Sequence, residues 1–405
     1  MRISRGLTAF GYPAYRVLWL SSTLTALGTW AERLAVGWLV LVETESILLS
    51  AATFAVRSAP GILAAPLGGA VADRYPRTRL LPITALIRAV LKVLLALIAW
   101  VGFSNPWPIF LLIALGGVVN SFDMPSRQGL ITDLVPRQVR MNAISLHAVG
   151  SLAVGAIGAL ASGITAELLG IPAALAAAAV LVLLGGAIVP LIPSVQPATR
   201  DQQTPLRMVF RDTADGIKLM AGLPVVATLL LMAIAVEIFG FAYQSVMPAM
   251  ARGELQVTES GLGTLQFAAG MGAVSGAVAL SLLGDFRRKG RLLLGVTMVY
   301  GLGLVGVALS PSLAVAIALV TLVGAMAAAF DAIQLTLLQA TVPDQMRGRV
   351  VGGWLFAIGF GWVGHLAMGA VGEAVGVRWA IGGAGLVVMA TSLAVLALAP
   401  MLRRA

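Results

Sequence analysis

Twelve apolar runs, each about long enough to cross a bilayer, follow one another along the chain. They fall near 15–42, 46–72, 79–103, 107–130, 142–166, 171–192, 223–249, 257–282, 291–310, 312–336, 350–372 and 377–400. A helical span needs roughly 20 mostly apolar residues. Lipid offers no hydrogen-bond partner to an open backbone, so each run is expected to be a helix. The short alternating segments of a membrane β-barrel are absent. Charge is scarce, at 11% of 405 residues, where soluble domains carry roughly 25%. So little charge cannot coat a globular surface, which argues against a soluble enzyme, a disordered chain and a nucleic-acid-binding domain. There is no cysteine, hence no disulfide framework, thiolate zinc site or thiol nucleophile. His147 and His365, the two histidines, cannot make a His-rich metal site alone. The expectation is an all-α membrane protein that needs no metal or organic cofactor.

The net charge of +10 is dispersed between the apolar runs instead of gathered into a nucleic-acid groove. With the N-terminus placed inside, 20 of the 27 Lys and Arg residues fall in inner segments. Only Arg252 and Arg378 fall in outer ones, and Arg33, Arg57, Arg88, Lys92 and Arg127 lie within runs. This bias predicts twelve spans with both termini cytoplasmic. The first run is too long for a signal peptide and has no small-residue cleavage site after it. One long polar stretch, 193–222, interrupts the pattern. Its apolar residues Leu206, Val209, Phe210, Ile217 and Met220 suit a short helix lying on the membrane surface, with a plain solvated linker as the alternative. The predicted organisation is a six-helix bundle over 1–192, a cytoplasmic linker over 193–222 and a second six-helix bundle over 223–405.

The two halves repeat. Glu32 answers to Glu237 at an offset of 205, Asp123 to Asp331 at 208, Val135-Pro136 to Val342-Pro343 at 207, and Asp73 to Asp285 at 212. Four matches in order, within a narrow range of offsets, point to duplication. Parallel six-helix repeats are the architecture of a class of secondary transporters.

The segment Gly69-Ala-Val-Ala-Asp73-Arg74-Tyr-Pro76-Arg77-Thr78-Arg79 resembles the signature loop of the major facilitator superfamily, departing from it at Pro76 and Thr78. Val36–Val40, Phe122-Asp123-Met-Pro125-Ser-Arg127-Gln, Leu134-Val135-Pro136 with Asn142-Ala143, and Leu338-Gln339 with Val342-Pro343-Asp344 and Arg347-Gly348-Arg349 are similar to its enterobactin-exporter and macrolide-efflux branch. The resemblance implies two bundles that rock about a midline cavity in a bacterial cytoplasmic membrane. It also implies a gate in which Gly69, Asp73, Arg74 and Arg77 take part, with Asp73 meeting the start of span 11, where a helix dipole favours negative charge. Setting topology alone is the simpler reading of those cations. The Gly-Pro-x-x-Gly-Gly motif frequent in exporters of this superfamily is incomplete here: Gly158-Ala159-Leu160-Ala161-Ser162-Gly163 has Ala for Pro.

A charge near mid-membrane costs about 3 kcal/mol on insertion scales, so each is a functional candidate. Thr25, Thr29 and Glu32 share a face of span 1, and Arg57 comes at a similar depth in span 2. A Glu32–Arg57 pair facing the cavity would keep the carboxylate ionised, and losing the pair in one state would let it take up a proton. A static pair that only orients two helices is the alternative. In the second half Glu237, Phe241 and Gln244 share a face of span 7 beside Tyr243. That set suits a ligand with a cationic or hydrogen-bonding group on an apolar body, or packing around a protonated Glu237. Arg88 and Lys92, one turn apart in span 3, either attract an anionic substrate or pair with acids on neighbouring spans. Asp123 and Arg127 suit an intrahelical pair near the inner gate, mirrored by Asp331 with Gln334, or a structural role. Thr29, Arg88, Lys92, Phe241, Tyr243 and Gln244 are thus the candidate cavity residues.

Primary pumping is excluded for this chain alone. Its three lysines, Lys92, Lys218 and Lys289, are followed by Val, Leu and Gly, whereas a P-loop needs Lys-Ser or Lys-Thr. No metal-ligand cluster or Gly-x-Ser-x-Gly elbow suggests an enzyme. The sequence therefore predicts a proton-coupled exporter of small amphiphilic molecules, drug- or siderophore-like, able to work as a monomer. A lipid or lysolipid flippase, or an importer of the same fold, is the competing reading. The expected partners are cargo, protons and the bilayer, with no nucleic acid.

Overall fold

The computed structural model describes residues 7–193, 222–284, 286, 288–343 and 346–398. The surface helix expected within 206–220, and Asp285 and Asp344, lie outside them. Among the described residues all twelve apolar runs are helical and no strand occurs. Helix α1 covers Pro13–Thr44, α2 Ile47–Arg74, α3 Arg77–Val101, α4 Trp107–Leu134, α5 Arg140–Leu169 and α6 Ile171–Ala187. Helix α7 follows over Pro224–Glu254, then α8 over Glu259–Leu283, α9 over Lys289–Leu309 and α10 over Leu313–Ala340. The eleventh run is in two pieces, α11a at Arg347–Ile358 and α11b at Gly361–Val375, and α12 covers Val377–Leu398. Ten spans, α3 through α12, are long and apolar enough to cross a membrane. Helices α1 and α2 are 32 and 28 residues long but carry charged and hydroxyl side chains along their length.

Helix α3 shows what solvent this fold expects. Ile83, Leu86, Ile87, Val90, Val93, Leu94 and Leu97 are exposed, while Thr84, Arg88 and Lys92 are buried. A helix in water does the reverse. An apolar outer face with a charged inner stripe is stable only where the surroundings are hydrocarbon.

The described residues form two compact units. One comprises Met1–Glu43, Val56–Gln203 and Thr258–Phe267; the other comprises Thr44–Ala55, Thr204–Val257 and Ala268–Ala405. The first has an apolar cluster that includes Tyr15, Leu18, Leu81, Leu130, Ile131 and Val135. There Asn142 Oδ1 accepts the Ala9 N–H at 3.0 Å, and the Tyr15 hydroxyl donates to the Ala143 carbonyl at 2.8 Å. Asn142-Ala143 thus tie the short turn at Thr8–Gly11 and the start of α1 to α5.

The units repeat the same close helix crossings. In the first, a Cβ on Gly68 would strike the Ser121 carbonyl, and one on Gly117 the Arg57 carbonyl, so α2 and α4 meet backbone to backbone. In the second, Gly276 faces the Ala325 carbonyl and Gly324 the Ala269 carbonyl in the same way, joining α8 to α10. Gly276 stands 208 residues after Gly68, and Gly324 stands 207 after Gly117, inside the offsets of the duplication. Small residues allow such approaches where the hydrophobic effect no longer drives association.

Two hairpin ends repeat as well. Helix α5 stops at Gly170 (φ +88°) and α11b at Gly376 (φ +98°), a backbone region that favours glycine, and the next helix begins at once in both cases. Three residues before each glycine stands an acid, Glu167 or Glu373. Within the first unit Glu167 Oε2 accepts from the Thr258 hydroxyl at 2.9 Å, at the start of α8. Within the second, Glu373 Oε2 accepts the Ile47 and Leu48 N–H groups at 2.6 and 3.1 Å, at the start of α2. Helix N-termini leave N–H donors unpaired and favour negative charge, so an acid on another helix supplies the cap.

Gly117→Leu and Gly324→Leu are each expected to cost about 1–3 kcal/mol through overpacking, while Gly383→Leu, where a Cβ meets nothing within 4 Å, should be near neutral. Thermal melting in detergent checks the ordering.

Candidate functional site

The first unit buries a group of charges drawn from four helices. Glu32 comes from α1, Arg57 from α2, Arg88 and Lys92 from α3, and Asp123 and Arg127 from α4. The helical repeat supplies the alignment: Thr25, Thr29 and Glu32 lie about one turn apart on α1, as do Thr84, Arg88 and Lys92 on α3.

Glu32 holds two cations. Its Oε1 accepts from Arg57 Nη1 at 2.6 Å, and its Oε2 pairs with Lys92 Nζ. The Glu32 and Lys92 side chains are buried, and that of Arg57 is 22% exposed. Arg57 Nε is buried and meets no acceptor.

Asp123 organises the other half of the network. Arg127 Nε donates to its Oδ2 at 2.8 Å, and the Thr84 hydroxyl to its Oδ1 at 3.0 Å. Arg127 spends its remaining nitrogens on α1, donating to Ser21 and Ser22 from Nη1 and to Thr25 from Nη2, at 3.0–3.1 Å. Arg88 links the two groups. Its Nη2 donates to the Thr29 hydroxyl at 2.6 Å, and its Nη1 lies 3.7 Å from Asp123 Oδ2.

A cavity of about 90 Å³ opens on this network, lined by Thr29, Glu32, Arg57, Arg88, Lys92 and Asn120 with Leu91, Leu95 and Leu112 among its apolar walls. Arg127 and Asp123 are not among the lining residues. The structure therefore separates an outer set of charges that border a lumen from an inner set locked in packing.

The loop residues behave differently. Arg77 Nη2 lies 3.4 Å from Asp73, and Arg77 Nη1 pairs with Asp133. Asp133 was not anticipated, because no helical spacing links it to Arg77. A Cβ on Gly69 would meet nothing within 4 Å.

Among the described residues the second unit has no copy of the charge network. Asp331 is half-buried, but Gln334 does not mirror Arg127. Its Nε2 donates to the Leu229 carbonyl at 2.9 Å, and its Oε1 accepts from the Trp354 indole at 3.0 Å. The mirror fails because position 335, one turn past Asp331, is Leu. Glu237 sits in a π-helical stretch, Val236–Phe241, beside the break that separates α11a from α11b. A Cβ on Gly361 would lie 2.6 Å from Glu237 Oε1. Phe241 packs edge-on against Tyr300, with ring centroids 5.9 Å apart, and Tyr243 is buried. Gln244 is half-buried. His365 is tilted against Phe54 at 5.6 Å.

Removing one member of a buried pair leaves the other uncompensated, at a cost of about 3–5 kcal/mol. Arg127→Met is expected to lose that much stability, and Asp123→Asn added to it should recover part of the loss. A double-mutant cycle on thermal midpoints checks the coupling; strictly additive effects would contradict it.

A family model described as transmembrane secretion effector, within the major facilitator superfamily, matches residues 4–403. The staphyloferrin A transporter of Staphylococcus aureus is 23% identical over 337 residues, 82% of this chain and 82% of that protein. The enterobactin exporter of Shigella boydii is 26% identical over 363 residues, 85% of this chain and 81% of that protein. Among solved structures, a peptide transporter POT superposes with a TM-score of 0.74 at 13% identity, covering 97% of this chain and 95% of that one. A bacterial homologue of the human lysosomal transporter Spinster superposes at 0.70 with 18% identity, covering 96% of each. Identities this low carry the fold alone. The chain belongs to the transmembrane secretion effector family of the major facilitator superfamily, and it is a multi-pass membrane transporter.

Proposed function

We propose that this chain is a proton-coupled secondary exporter of small amphiphilic molecules, siderophore- or drug-like, working by alternating access. Twelve spans form two six-helix bundles, with both termini on the cytoplasmic side of a bacterial inner membrane. The observation that carries the reading is the placement of Glu32, a buried carboxylate held by two cations at the wall of a cavity.

Such a group has two stable conditions. Paired with Arg57 and Lys92, it is ionised and neutralised. Separated from them in an apolar setting, it is tolerated only with a proton. A carrier that breaks the pair in one of its states therefore exchanges a proton in each cycle. Glu237, in a π-helical turn beside a broken helix, is the second candidate. Local π geometry and discontinuous helices are frequent at functional sites. Gly69, Asp73, Arg74 and Arg77 act at the inner gate, and Asp123, Arg127 and Asp331 hold the helices that move. Phe241, Tyr243 and Gln244 belong to the cargo path of the second half. The names of the siderophore-handling relatives favour export of a small polar-headed molecule.

Proteoliposomes with an imposed pH gradient test this, using enterobactin and staphyloferrin A as first cargos and an entrapped pH dye. Cargo and protons should move in opposite directions, each requiring the other. Glu32→Gln should retain cargo counterflow without a gradient and lose gradient-driven accumulation. Accumulation by Glu32→Gln at the wild-type level removes Glu32 from the coupling.

A further inference from the structure

The charges gathered in the first unit do not cancel. Among the described residues, buried Arg88, Lys92 and Arg127 and half-buried Arg57 face Glu32 and Asp123, four cations to two carboxylates. The imbalance is local. Asp123 is satisfied by Arg127 and Thr84, and Arg127 is saturated by Asp123 and three hydroxyls of α1. That leaves Arg57, Arg88 and Lys92, all three on the cavity wall, sharing Glu32 and the distant edge of Asp123. Arg57 Nε, buried and without an acceptor, adds an unanswered donor at the same place. An excess of buried positive charge is expensive, and a lumen lined by it is suited to an anion.

Glu32 shows which anion. Its carboxylate bridges the cradle with one oxygen on Arg57 and the other on Lys92. The two cations are therefore spaced for a carboxylate, and a second one can occupy the same seat only by displacing the first. About 90 Å³ admits a headgroup of a few heavy atoms. Thr29 and Asn120 supply polar contacts at its side, and Leu91, Leu95 and Leu112 supply an apolar rim for the rest of a molecule.

Resting on the transporter reading, we propose that this cavity is the subsite for a carboxylate headgroup of the cargo, and that the cargo competes with Glu32 for Arg57 and Lys92. The preferred cargo is then an anionic amphiphile, in contrast to the cationic ligand that an isolated intramembrane glutamate suggests. Cargo entry and release of Glu32 become one exchange of ligands on two fixed cations, in which the displaced carboxylate faces the polar lumen and stays ionised, so that cargo and proton are held in different states of the cycle.

The test uses the full chain in nanodiscs and three probes that share one dansyl body: dansyl-glycine, its neutral amide, and the matching aminomethylphosphonate. Binding is read by tryptophan-to-dansyl energy transfer. Dansyl-glycine should bind at least about tenfold tighter than the amide. Glu32→Gln should tighten dansyl-glycine severalfold, because the internal competitor has lost its charge. Glu32→Gln combined with Lys92→Met should erase the preference for carboxylate over amide. Should that double variant not fold, Glu32→Gln with Arg57→Gln gives the same readout at the more exposed cation. A purely structural ion pair predicts the opposite sign, with Glu32→Gln loosening the site and weakening every probe. The proposal is overturned if the amide binds as well as the carboxylate, if Glu32→Gln weakens dansyl-glycine, or if the phosphonate binds tightest. Counterflow in proteoliposomes separates the two readings. A probe that binds in the expected pattern yet never exchanges supports the subsite and refutes transport. An amide that exchanges with no carboxylate preference refutes the subsite and leaves transport standing.

Discussion

A carboxylate between two cations, sealed inside helices whose outer faces are Leu, Ile and Val, is the constraint on which the first unit depends. Hydrocarbon outside forbids the charges to face outward, and the backbone cannot open to reach them. Each charged side chain must find its partner inside the unit, on its own helix as Arg127 does with Asp123 or on another as Glu32 does with Arg57 and Lys92. Glu32 therefore fixes α1 against α2 and α3 through Arg57 and Lys92, and Arg127 fixes α4 against α1 through three hydroxyls. Buried ion pairs add little net stability over apolar packing, yet breaking one from a single side is costly. They specify arrangement more than they strengthen it.

The duplication has been kept in the frame and lost in the chemistry. The α2–α4 and α8–α10 glycine crossings, the Gly170 and Gly376 turns, and the Glu167 and Glu373 caps all recur at offsets of 206 to 208. The cations do not. At the offset of 208 that relates Asp123 to Asp331, the positions answering to Arg57, Arg88, Lys92 and Arg127 are Leu265, Val296, Tyr300 and Leu335. One repeat carries the charge; the other carries backbone irregularity, with two π-helical stretches in α7 and a break between Ile358 and Gly361.

Hydropathy made the helices legible, because a bilayer leaves few other ways to place twelve apolar runs. The offsets made the repeat legible, and helical spacing grouped Thr29 with Glu32 and Arg88 with Lys92. Partner choice was beyond it. Nothing in a linear pattern tells whether Lys92 reaches Glu32 or Asp123, since both acids lie on other helices and the rotation of α3 decides. The irregularities of α7 and α11 were hidden for a related reason. Hydropathy registers how apolar a run is, while a π turn or a break changes only the phase of its hydrogen bonds. Glu167 and Glu373 were available at the duplication's own offset, each three residues before a glycine, but they sit at span ends, where an acid looks like ordinary loop composition.

The difference between the units follows from electrostatics. Charges paired across helices need fixed positions, because an ion pair in a low-dielectric setting loses strength quickly as its geometry degrades. The first unit supplies that rigidity by saturating Arg127 and Asp123 behind the cavity and leaving Arg57, Arg88 and Lys92 in front of it. A backbone that departs from regular helix needs the reverse, few ionic ties and small residues beside the departure. The second unit supplies it around Gly361 and Gly364, where α11b lies directly on Glu237 and Ile238 of the π stretch. Had the second repeat kept the four cations, its helices too would be tied to one another by ion pairs. The asymmetry thus sets ionic ties in one unit against backbone irregularity in the other, on a frame whose glycine crossings both units share.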